Sequence, residues 1–266
     1  MQEASPPIVL VIGPYDPSGS GALPADAITG ATLGAHIISS VTCLHVQDTA
    51  ALEEIHDISP DLINRQARCL LEDMPVGAIK AGPFYTAESV RVVAQIAADY
   101  SDVPLLLHLA APPQAFNDDE HSLEDVVSAI VELLLPQTDV VIIDDGLLAQ
   151  WQTDGLVSTS TTVHPAVALM SFGAKWVLTT NTQIRPGQWA HVLRGPDKQM
   201  FQWSWQPAPI RVFNQDGPLI CALTVEVAKG AAVNTAAEIA VQHAARLSSR
   251  IFRPGMGASI INRTHS

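Results

Sequence analysis

The 266 residues carry 27 acidic side chains against 14 lysines and arginines, a formal charge of −13, with 47% hydrophobic and 15% charged residues. That balance excludes a disordered or fibrous chain, and without a Lys/Arg cluster it also excludes electrostatic capture of nucleic acid or an anionic membrane. Cys43, Cys69 and Cys221 are too few and too widely spaced for a disulfide framework or a zinc site. No apolar run approaches membrane-spanning length and the first residues lack a secretory leader, so a cytoplasmic protein is expected.

Residues 8–12 (IVLVI) read as a fully buried strand, followed by a Gly/Ser/Pro loop over 13–21. Pro24 suits the first turn of a helix that continues to Leu33. In an open α/β sheet such a loop lies at the carboxyl end of its strand, where ligands bind. Its glycines would let backbone N–H groups approach a ligand, with the Asp26 carboxylate one turn into the helix. The same residues also describe a plain connection with Asp26 as a solvated acid.

Residues 36–46 are strand-like, and Ser59-Pro60 opens a helix to about Met74 with Leu62, Ala67, Leu70 and Leu71 facing inward. Residues 76–82 (VGAIKAG) form a short buried strand, Thr86 starts another helix, and 104–107 is the next strand. Ser122 with Asp125 resembles a capping box for a helix that stops at Pro136. Residues 139–143 and 175–179 are strands separated by a helix over 165–172, which Gly173 closes. This alternation predicts a doubly wound, mostly parallel α/β sheet with helices on both faces. Residues 199–205 instead alternate with period two behind the turn at Gly195-Pro196-Asp197, which predicts an antiparallel hairpin. Trp203 and Trp205 would share one face of it and cover an edge or a seam. Helices over 218–229 and 235–250 close the chain, and without a linker or repeat the expectation is one domain spanning 1–266.

Three blocks carry a family resemblance. Residues 16–26 (DPSGSGALPAD) resemble the DPSGGAGIQAD stretch of the hydroxymethylpyrimidine/phosphomethylpyrimidine kinases, thiamine-biosynthesis enzymes of the ribokinase-like fold. Residues 40–49 (SVTCLHVQDT) are similar to that family's T-x-L-T-A-Q-N-T, and 73–82 (DMPVGAIKAG) to its D-I-P-V-D-A-V-K-I-G, without gaps between blocks. The resemblance implies a substituted aminopyrimidine ligand bearing a hydroxymethyl group or its phosphate. It puts the ligand contacts on Asp26 and Gln47, with Gly21, His45 and Pro83 lining the ring and Pro83 standing where the family has methionine. It further implies a homodimer, and ATP with Mg2+ if the chain is active.

The phosphoryl-transfer half departs from the family. The Gly-Thr-Gly-Cys run that should open a late helix is replaced by Phe213-Asn214-Gln215-Asp216-Gly217-Pro218. A gap-free count puts Gly217 in the cysteine's place, where it cannot act as a base. One inserted residue puts Asp216 there instead. Pro218 removes a backbone donor from the anion hole. In the family's T-P-N-x-x-E the glutamate has become Leu147, leaving Asp144 beside Asp145 as a candidate cofactor contact or, more plainly, a solvated loop acid pair. In V-K-G-G-H, Thr179 replaces the lysine, and His108 replaces the acid of D-P-V-M. Nine histidines show no metal-ligand spacing, so no metal site is expected. Cys221 reads as core, and Gly255-Met256-Gly257 as part of an irregular C-terminus. Two functions remain in view, an ATP-dependent kinase and a catalytically silent pyrimidine-binding or regulatory relative. A kinase acting on pyridoxal-like rings is a third.

Overall fold

A computed structural model describes residues 5–113, 116, 122–157, 164–207, 210 and 212–264. The apolar runs seen in the sequence become β1 (Ile8–Tyr15), β2 (His36–Gln47), β4 (Val76–Ala81), β5 (Leu105–Leu109), β6 (Val140–Asp144) and β7 (Trp176–Arg185). They join β3 (Leu52–Asp57), β8 (Gln188–Arg194) and β9 (Met200–Trp205) in one nine-stranded sheet of order β3-β2-β1-β4-β5-β6-β7-β8-β9. Pairing is parallel from β2 to β7 and antiparallel at β3, β8 and β9. The inner strands are mostly apolar because helices cover both faces, with Lys80, Thr179 and Thr180 among their buried polar exceptions.

One face carries α2 (Pro60–Asp73), α3 (Ala87–Asp99), α4 (Leu123–Ala129), α5 (Asp145–Thr153) and α6 (Pro165–Ser171), all contributing to the largest core cluster. The other carries α1 (Ala22–Thr32), α7 (Gly217–Ala228) and α8 (Val233–Ser248). The expected caps are present: the Ser59, Thr86 and Ser122 hydroxyls accept from Leu62, Ser89 and Asp125 N–H groups. After α4 the chain continues through a widened turn to Gln137.

Three readings of the sequence change. Ala67 is fully buried as expected, but Leu62 is 37% exposed and the fully buried Ile63 faces inward instead. Strand β3 was not expected. Its residues are mostly exposed, so no buried face marks it, and pairing with β2 alone makes it a strand. Residues 144–145 are not a loop either, since Asp144 caps α5 by accepting from the Leu147 N–H at 3.1 Å. The tail ends in a short antiparallel pair, β10 (Ile251–Phe252) and β11 (Ile260–Ile261). Between these strands Gly257 and Ala258 donate to Thr49, tying the tail to the turn after β2.

Candidate active site

The strand order reverses at β1, which has β2 on one side and β4 on the other. Ligands of open α/β sheets bind at the carboxyl ends of strands around such a switch. A cavity of about 400 Å³ opens there, walled by Pro14 near the end of β1 and Asp16 just after it, His45 and Gln47 of β2, and Lys80, Pro83 and Tyr85 along and beyond β4. His108 of β5, Gly21 and Ala22 at the start of α1, and Phe213 and Asn214 ahead of α7 also line it, together with residues 50–52 and 110–113. Gly82 makes the wall possible. Its φ is +92° and a Cβ there would lie 2.4 Å from the His108 carbonyl oxygen, so only glycine fits.

The loop after β1 is organised by Asp16, which is 2% exposed. Its carboxylate accepts from the Ser18 N–H at 2.8 Å, the Ser18 hydroxyl at 2.6 Å, the Ser20 hydroxyl at 2.8 Å and the Gly21 N–H at 2.8 Å. Gly21 therefore walls the cavity, but its N–H is occupied by Asp16, contrary to the expectation of a free amide for a ligand.

Asp26 also departs from expectation. It is 2% exposed, absent from the cavity wall, and ion-paired with Lys80, itself 4% exposed. Burial raises its pKa, while Lys80 and then the nearby Arg263 oppose that rise. The residue that reaches the cavity is Lys80, and Asp26 holds it there. Sequence reading missed this role although the signal was present: a lysine inside the apolar strand VGAIKAG needs a buried counter-charge. Lys80 also lowers the pKa of His108, secondary to burial, to about 3, so His108 is a neutral ring. His45 is neutral too, held below its ordinary value by burial.

A second polar cluster joins the end of β6, the middle of β7 and the residue before α7. The Asp216 carboxylate accepts from the Thr180 hydroxyl at 2.7 Å and from the Asn181 amide at 3.4 Å. The same amide donates to Asp144 at 2.9 Å, so Asn181 bridges two carboxylates. Burial first, then the Asp144 charge, raise the Asp216 pKa to about 6 against the Thr180 hydrogen bond. Thr179 does not reach this site. It is fully buried, donates to the Val192 carbonyl and accepts from Thr182 and Arg194.

The first turn of α7 has few free donors. Pro218 has no N–H and the Gly217 N–H is bonded to the Asn214 carbonyl at 3.1 Å, while the Ile220 N–H makes the first regular helical bond, to the Asp216 backbone carbonyl at 3.1 Å. The Asn214 side chain lies against both Gly21 and Gly217, 2.2 Å from where a Cβ on Gly217 would sit. Cys221 is core, 2% exposed, and its thiol donates to the Asp26 carbonyl. All three cysteines are free, and among the described residues no group of three or more His, Cys, Asp or Glu side chains could hold a metal ion.

The architecture is that of ribokinase-like small-molecule kinases. It superposes on the pyridoxal kinase from Staphylococcus aureus, solved in complex with ADP, with a TM-score of 0.82 at 18% identity, covering 98% of this chain and 94% of that one. It likewise matches a phosphomethylpyrimidine kinase from Clostridium difficile with a TM-score of 0.72 at 16% identity, covering 90% and 99%. Within that class, residues 16–262 match the phosphomethylpyrimidine kinase family, and the chain belongs to it. A hydroxymethylpyrimidine/phosphomethylpyrimidine kinase from Mycobacterium tuberculosis is 29% identical over 190 residues, 68% of this chain and 66% of its own length. The first curated relatives are matched over 24% to 66% of their lengths.

Proposed function

We propose that this chain phosphorylates the hydroxymethyl group of an aminopyrimidine, or of its monophosphate, with Mg-ATP as donor. The observation that carries this reading is the cavity, which is walled by Gly21, His45, Gln47 and Pro83, four of the five ligand residues that the family resemblance implies. In this reading Gln47 pairs with the ring edge and Asp216 takes the proton of the attacking hydroxyl. A carboxylate with a pKa of about 6 suits that task near neutral pH. Nucleotide-borne magnesium takes most of its ligands from phosphates and water and needs one or two carboxylates from the protein. Asp144, hydrogen-bonded by Asn181, fits that requirement and leaves Asp216 to act as base, and the nucleotide would supply the phosphoryl group. The reading extends to one domain over residues 1–266, a cytoplasmic location and a homodimer. The single large sheet supports the first of these, and no helix among the described residues is long and apolar enough to cross a membrane.

A second reading, a silent pyrimidine-binding relative, is favoured by one observation. The Gly217 N–H is already bonded and Pro218 has none, which takes two first-turn donors from an anion hole. The deciding experiment is coupled ADP release with Mg-ATP and hydroxymethylpyrimidine, run beside thermal shift with each ligand alone. Turnover that vanishes in Asp216→Asn supports the kinase. Stabilisation by the pyrimidine alone, with no turnover and no shift with ATP, supports the silent relative. No response to any ligand overturns both.

A further inference from the structure

The segment after α8 reaches three walls of the cavity. It turns back through Gly255-Met256-Gly257, so that Phe252 pairs with Ile260 and Ile251 with Ile261. Ahead of β11, the Gly257 N–H donates to the Thr49 hydroxyl at 3.2 Å and the Ala258 N–H to the Thr49 carbonyl at 2.7 Å. Thr49 belongs to the turn whose next residues, 50–52, line the cavity. The Ser259 carbonyl accepts from the N–H of the wall residue Phe213 at 2.9 Å, and Ser259 also bridges to Val212. Beyond β11, the Arg263 guanidinium donates to the Ser20 carbonyl at 3.1 Å, next to the wall residues Gly21 and Ala22.

Each tie is made by a group that is enclosed. Arg263 is buried, and a buried cation has to be satisfied by the groups around it. It donates to the Ile261 and Ser20 carbonyls and lies within electrostatic reach of Asp26 and Asp16. Ile260 and Ile261 are buried beside it, and Gly257 packs so closely on the backbone of 49–50 that no side chain fits there. Met256, at the tip of the turn, is by contrast 92% exposed. None of residues 257–263 lines the cavity, so they can act on a ligand only through the walls they hold.

Resting on the reading of the cavity as a pyrimidine site, we infer that residues 257–263 are a strap that sets the spacing of three cavity walls, with Gly257 and Arg263 as its positioning residues. The strap holds the β1–α1 loop, the β2–β3 turn and the approach to α7 at once, so its docking and ligand binding are coupled. Such coupling is reciprocal: the docked strap tightens the ligand by the same factor by which the ligand stabilises the docked strap.

The test combines amide hydrogen exchange with calorimetric binding of 4-amino-5-hydroxymethyl-2-methylpyrimidine, on the full chain without nucleotide. Wild type is compared with Gly257→Ala, Arg263→Met and, as a control, Met256→Ala. Without ligand, the first two variants should exchange about 10-fold faster or more at 20–22, 49–52 and 213–214, while β1, β4 and β5 keep wild-type protection. Met256→Ala should change nothing. Affinity for the pyrimidine should fall about 10-fold in Gly257→Ala, and saturating pyrimidine should slow exchange over 257–263 in wild type by a similar factor. That last measurement needs no variant and stands even where a substitution prevents folding. A rise in exchange that includes β1, β4 and β5 overturns the inference, since it reports plain stabilisation of the fold. Wall exchange or affinity unchanged in Gly257→Ala also overturns it, and leaves the pyrimidine site standing. Absence of pyrimidine binding in wild type overturns the site reading and the coupling together.

Discussion

Asp26→Asn separates a scaffold role for this carboxylate from the ligand contact implied by the family motif. In the structure Asp26 and Lys80 form an ion pair in which the two residues are 2% and 4% exposed. Removing one partner of a buried pair leaves the other charge uncompensated and costs about 3–5 kcal/mol. Here the remaining charge is Lys80, with Arg263 as a second cation close by. At ~2–4 °C per kcal/mol for a chain of this size, the melting temperature should fall by roughly 6–20 °C. The assay is differential scanning calorimetry or urea unfolding at pH 7, with Lys80→Met and the double variant measured alongside. The double variant should recover part of the loss, because it no longer buries an unpaired lysine charge. Where Asp26→Asn is folded, its affinity for the pyrimidine should stay close to wild type. A melting temperature within about 2 °C of wild type, below ~1 kcal/mol, would refute the scaffold role, particularly if pyrimidine binding were lost.

Three further outcomes follow from individual contacts. Ile63→Ala removes a fully buried side chain and should cost about 2–5 kcal/mol in urea unfolding, whereas Leu62→Ala, at a position 37% exposed, should cost under ~1 kcal/mol. Gly257→Ala puts a methyl group 1.9 Å from the Thr49 carbonyl oxygen, against rigid backbone, so the tail should detach and gain amide hydrogen exchange over 250–262. Asp216 has a folded pKa of about 6 against an ordinary 3.8, so the fold favours its protonated form. Its stability cost is absent below about pH 4 and complete above about pH 6. Asp216→Asn should therefore gain stability relative to wild type as pH rises through that window. Wild-type kcat/KM should climb over the same range, with an inflection near pH 6. A flat stability difference would show that the carboxylate is not desolvated.

The corrections share one physical cause. Alternation of apolar runs with capped helices depends on neighbours a few residues apart, and it is legible wherever burial imposes a period. Hence β1, β4 and β6 and the caps at Ser59, Thr86 and Ser122 were foreseen, while the exposed edge strand β3 was not. The DPSGSGALPAD block led to the right end of the sheet, and Gly21, His45, Gln47 and Pro83 do meet around one cavity. What the motif could not state is how each polar group is satisfied.

That part was decided by partners far along the chain. Asp26 is joined to Lys80 across 54 residues, and the Thr179 hydroxyl of β7 donates to the Val192 carbonyl of β8. Asp144 and Asp216 are bridged by an asparagine 37 and 35 residues from them. The amino-acid sequence by itself determined the class of fold, the family and the place of the cavity, because those depend on local periodicity and contiguous motifs. Only the tertiary structure decided which carboxylates are free and which backbone donors remain. Those are properties of hydrogen bonds and ion pairs closed between distant segments, and no local pattern records them.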